Sequence, residues 1–248
     1  MNASAQQIHQ ALETVAFLRA QRSADAQLAQ ASKQIKRFQS ARFQATYGDL
    51  LQTPRYEPAT HFFLHELYGD KDYAQRDQQF ARIASTIARL FPQAVVNTAA
   101  ALASVHALTE QLDNDMARQW LLLQRQDAAA STTQQYVQCW QRVGDNAARL
   151  KQLEVVLDLG RSLNELTQKP GLRTLLKMMR GPAAAAGLAS LQKFLETGFD
   201  AFAAMRGADE FLALIQQREA LWINVLFADD VVTCATKLDQ LLPIYGAS

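Results

Sequence analysis

The sequence predicts an all-α protein, a multi-helix bundle with a long central antiparallel helix hairpin. Three observations carry that prediction. Apolar residues recur at three- and four-residue steps along most of the chain, and no stretch alternates as a half-buried strand would. Only 10 Gly and 6 Pro occur in 248 residues, while Ala, Gln and Leu dominate. With 49% hydrophobic residues the chain can bury a sizeable core. It reads as a single helical domain, 1–248, with one candidate subdomain boundary near residue 170, at Pro170-Gly171.

Taken in order, about eight or nine helices are expected. Ile8, Leu12, Val15 and Leu18 mark a first helix over 5–21, and Leu28, Ala31, Ile35 and Phe38 a second over 24–47. Arg42 falls among the basic residues of that second helix's surface, and Gly48 is its expected stop. Two prolines follow, and Pro58 opens a short helix that Gly69 closes. Asp72 and Gln75 form a candidate capping box for a helix carrying Phe80, Ile83, Ile87 and Leu90 inward.

Pro92 separates that helix from a long one reaching about Gln124, whose stripe runs from Val95 through Leu112 and Met116 to Leu123. Thr132 and Gln135 offer the next capping box. They open a second long helix whose seam includes Tyr136, Trp140, Leu150, Leu153 and Leu157, with Gly144 and Gly160 as kink positions. A short basic helix covers 172–180. Pro182 opens one carrying Leu188, Leu191, Leu195, Phe199 and Phe202; Asp209 caps the next, and Asp229 or Asp230 the last.

The densest aromatic stretch, from Arg55 to Gly69, is apolar nearly all round and is the expected centre of the bundle. Its run Phe62-Phe63-Leu64-His65-Glu66-Leu67-Tyr68-Gly69, after Tyr47-Gly48-Asp49-Leu50 and Arg55-Tyr56, resembles an uncharacterised bacterial family known by an FFLEELY-type motif. Arg76-Asp77, the stretch at His106-Ala107-Leu108 and Met179-Arg180-Gly181-Pro182 extend the likeness over most of the chain. It brings no activity with it. His65 stands where the family motif usually carries Glu.

Twenty-five basic residues against 24 acidic ones leave no global field for nucleic acid. Cys139 and Cys234 make no metal spacing and read as buried thiols. The N-terminus lacks an apolar signal core and no run approaches a membrane span, so a cytoplasmic location is expected. Phosphate loops, nucleophile elbows and dinucleotide fingerprints are missing.

Three constellations remain. His106, Glu110 and Asp113 lie at i, i+4 and i+7, a row able to ligate a metal or to pair with a neighbouring helix's cations; His106 is equally a candidate haem ligand. His61 and His65, four apart near Glu57 and Glu66, repeat the pattern more weakly. Lys169, Arg173, Lys177 and Arg180 form a basic strip opposite Leu172, Leu175, Leu176 and Met179, suited to anionic lipid heads, a phosphate or an acidic protein partner, or to a solvated face.

The expectation is a non-enzymatic protein that binds a protein partner through that strip and self-associates, with no cofactor. The alternative is a helical pocket for an apolar ligand, lipid or haem, lined by Phe62, Phe63, Tyr68, His106, Phe199, Phe202 and Trp222. A metal-dependent enzyme ranks third.

Overall fold

Thirteen α-helices and one π-helical turn account for almost every described residue of the computed structural model, which describes 3–67, 73–90, 93–126 and 130–242. No strand occurs among them. The helices are α1 (Ala3–Ala24), α2 (Ala26–Thr46), α3 (Gly48–Leu51), α4 (Glu57–Phe62), α5 (Ala74–Leu90), α6 (Gln93–Gln126) and α7 (Thr132–Val143). They continue with α8 (Asn146–Thr167), α9 (Leu172–Met178), α10 (Arg180–Ala185), α11 (Ala189–Met205), α12 (Asp209–Ala228) and α13 (Val231–Leu241). The π-helical turn, Phe63–Leu67, continues α4.

The helix at the centre is α6, not the aromatic segment. Its 34 residues span roughly 50 Å at 1.5 Å per residue, and α1, α2, α5, α7 and α8 all pack along it. The expected hairpin is present, but its second arm is two helices. Gly144 takes a left-handed φ of +66°, ends α7, and hands the chain to Asp145, whose carboxylate caps α8 by accepting from the Ala148 N–H at 2.9 Å.

That break resets the helical register, and the seam changes with it. Leu150, expected inside, is 47% exposed, and Arg149 takes the buried position at 6%. Gly160 makes no kink. It lets α12 approach α8, since a Cβ there would lie 2.5 Å from Leu212 Cδ2.

Several local signals operate one residue away from where the sequence suggests. The capping box that opens α7 is Ser131 with Gln134. Gly48 does not stop α2: Tyr47 is the cap, and Gly48 begins α3. Pro182 lies inside α10, and α11 starts only after Gly187, at φ +68°. Asp230 caps α13, as one of the two expected residues. The expected signals at Tyr68, Gly69, Asp72 and Pro92 lie outside the described residues.

Two apolar clusters fill the interior. One gathers Ile8, Phe62, Phe63, Phe80, Phe202 and Phe211; the other gathers Phe38, Met116, Trp120, Tyr136, Leu226 and Leu238. Both draw residues from either side of Pro170-Gly171, and Leu153 packs against both. Each fully buried Phe or Leu contributes roughly 1.5–3 kcal/mol relative to exposure.

Candidate ligand-binding site

The aromatic segment contributes Tyr56, Ala59, Phe62 and Phe63 to the first apolar cluster, and its second half is the π-helical turn. Such turns insert one residue into a helix and recur at functional sites. Here Phe62, Phe63 and Leu64 are buried, while His61 and His65 stack on the exposed side with ring centroids 5.4 Å apart. The end of the turn is held by two side chains from the next helix region. Tyr73 donates to the His65 carbonyl at 2.8 Å, and Arg76 to the Glu66 carbonyl at 2.9 Å.

Arg76 also stacks over Tyr73 and Phe194, at 4.2 and 4.7 Å. Its neighbour Asp77 is the hub of a buried polar cluster. One carboxylate oxygen of Asp77 accepts from Arg19 of α1 at 2.8 Å and lies 3.1 Å from Nε2 of His106 on α6; the other is 3.4 Å from Arg76. Burial raises the Asp77 pKa, but His106, Arg19 and Arg76 outweigh it and hold the carboxyl down at about 2.

Beside this cluster lies a cavity of about 130 Å³ with mostly apolar walls. Phe62, Phe63, Phe80, Leu102, Phe194 and Phe202 supply much of the wall; Glu66, Arg76, Asp77 and His106 supply polar groups. Gly198 permits the wall to close, because a Cβ there would lie 2.7 Å from Phe62 Cζ. An apolar chamber with a few convergent polar groups is the usual form of a small-molecule site.

A second cavity, of about 70 Å³, shares Phe63, Thr109 and Val156 with the first. Its polar walls include Arg42, Glu219, Arg149, Gln39, Tyr136 and Trp140. Arg42 is 3% exposed, contrary to its expected surface position, and grips Glu219 through two bonds of 2.7 and 3.1 Å. Burial alone would lower the Arg42 pKa; the Glu219 carboxylate more than reverses this and raises it. Burial pushes the Tyr136 hydroxyl up to about 12.

The structure thus places Phe62, Phe63, His106 and Phe202 in the wall of one cavity. Phe199 is buried but is not part of the cavity wall, and Trp222 sits with the other cluster, 6.0 Å from Arg42. Tyr68 lies outside the described residues.

The His106, Glu110 and Asp113 row is divided among different partners. His106 faces Asp77; Glu110 is bonded by Arg22 at 2.5 Å and by Lys36, and Asp113 lies 3.9 Å from Lys36. Burial raises the Glu110 pKa and Lys36 and Arg22 lower it, with a net lowering, whereas burial prevails at Asp113 and raises it. Among the described residues no three His, Cys, Asp or Glu side chains group to hold a metal ion.

Along the basic strip, Arg173 pairs with Asp200 at 2.9 Å and Arg180 with Glu196 at 2.5 Å, both partners on α11. Lys169 and Lys177 are exposed, and so are Leu175, Met178 and Met179.

The chain's residues 18–232 match the model of a family described as a domain of unknown function (DUF8198). The protein belongs to this family. The matched residues include the whole Asp77 cluster and all of the lining of both cavities except Leu12, and the family assigns them no activity. Comparison with curated proteins and with solved structures finds no match. No helix among the described residues is long and apolar enough to cross a membrane.

Proposed function

We propose that this protein is a non-enzymatic, cytoplasmic binding protein that holds a small, largely apolar molecule in the 130 Å³ cavity. In this reading its family is the bacterial one that carries the FFLEELY-type motif, and the motif's aromatic pair builds the cavity wall. The carrying observation is the chamber itself: aromatic walls meet one set of paired polar groups, Asp77, His106 and Arg76. Asp77 leaves His106 in contact with the chamber, so the ligand's polar atom has a hydrogen-bonding group to meet.

Native mass spectrometry beside the denatured mass, together with calorimetric titration with 1-octanol, tests this. Bound extra mass or saturable octanol uptake is expected. Both should vanish in Ala103→Leu, which fills the chamber from α6, without loss of helical circular dichroism. A bare chain that takes up no octanol to its solubility limit would remove the reading.

A second reading rests on a separate observation. Leu175, Met178 and Met179 are exposed at 43%, 70% and 37%, beside Lys169 and Lys177, which supports docking of an acidic, partly apolar protein partner on α9. Charge reversal at Lys169 and Lys177 should abolish capture of such a partner and leave octanol uptake unchanged.

A further inference from the structure

We infer that the smaller cavity receives a carboxylate, so that the ligand is a monocarboxylic acid whose apolar tail occupies the larger one. This deepens the apolar-ligand reading and rests on it. The walls of the smaller cavity carry donors in excess of acceptors. The Trp140 indole N–H and Arg42 Nε are buried with no hydrogen-bond partner among the described residues, and the buried Tyr136 hydroxyl, beside Gln39, donates to none of them. Buried donors left unsatisfied are costly, and native structures keep few of them.

Arg149 enters the same space. Its guanidinium stacks on Trp140 at 4.0 Å, and its N–H groups reach Gln152 at 3.4 Å and the Met116 sulfur at 3.1 Å, both neutral acceptors. Glu219 is the carboxylate in this wall, already bonded by Arg42 and by the Tyr47 hydroxyl at 2.6 Å. The cavity wall itself carries two arginines, Arg42 and Arg149, and one carboxylate, Glu219. One negative charge would balance them.

A monoanionic carboxylate fits that excess, and its acceptor-only oxygens fit the donors. A phosphate at neutral pH brings more charge than the site balances. Phe63, Thr109 and Val156 line both cavities, which places head and tail of one molecule on either side of Phe63, the first residue of the π-helical turn.

Tyr136→Phe gives the sharpest test. The hydroxyl donates to no described acceptor, so its removal leaves the fold intact while deleting one donor to the carboxylate. Calorimetry on the full chain at pH 7 compares octanoate, 1-octanol and acetate. Octanoate should bind at least about tenfold more tightly than octanol, and Tyr136→Phe should weaken octanoate about tenfold while leaving octanol unchanged.

Equal affinity for octanoate and octanol, untouched by Tyr136→Phe, would show water alone in the smaller cavity; the carboxylate site falls and the apolar cavity stands. Acetate binding as tightly as octanoate would keep the carboxylate site and overturn the shared ligand. If neither octanoate nor octanol binds, both readings fall.

Discussion

The two cavities meet at Phe63, yet they treat polar groups in opposite ways. Beside the larger one, Asp77 gathers Arg19, Arg76 and His106 from three helices, and the charges answer one another. Around the smaller one, Tyr136, Trp140 and Arg42 hold donors that nothing in the described chain accepts. The first arrangement cross-links the fold; the second leaves hydrogen-bonding capacity for something added. Buried polar groups are therefore not one category here, and mutation separates them.

The largest effect should come from the hub. Asp77→Ala strips the acceptor from the half-buried Arg19, Arg76 and His106 side chains, which costs about 3–5 kcal/mol for a broken buried pair. Denaturant unfolding measures it, and a cost near that of an exposed ion pair would erase the contrast between the cavities.

The pH dependence follows from the same residue. The folded pKa of Asp77 lies near 2, below its ordinary value of 3.8, so its stabilisation is fully present above about pH 4 and is lost as pH falls through 2. That loss is about 2 kcal/mol. Asp77→Asn should lack it in melts between pH 5 and 2, and a parallel acid profile in variant and parent would place the acid sensitivity elsewhere.

Gly198→Ala should cost about 1–2 kcal/mol, because its Cβ meets the Phe62 ring at 2.7 Å within a packed cluster. It should also lower octanol uptake, since Phe62 is part of the wall that has to shift. The smallest effect belongs to the other cavity. The stability of Tyr136→Phe without added ligand should stay within about 0.5 kcal/mol of the parent, or exceed it, because a buried hydroxyl that donates to no acceptor contributes little to lose. A destabilisation above 1 kcal/mol would mean that the hydroxyl is satisfied and that the cavities differ less than described.

Much of the candidate site was legible in part. Phe62, Phe63 and Phe202 stand out as large apolar residues at helical spacing, and His106 as an imidazole on an apolar stripe. Arg42 carried a signal that its charge concealed: it falls four residues after Phe38, on the stripe of Leu28, Ala31 and Ile35, and the fold buries it there. Arg149 carried none, because the break at Gly144 turns α8 relative to α7 and exchanges Arg149 for Leu150 at the seam.

The sequence by itself determined the helices, most of their ends and the apolar stripes, because periodicity, caps and glycine conformations act within a few residues. The tertiary structure alone decided which helix is central, which arginines are buried, and which carboxylate meets which cation. Asp77 and His106 are 29 residues apart, and Arg42 and Glu219 are 177 apart. Such pairs depend on how helices cross, and that is settled by packing between stripes rather than by spacing along any one of them.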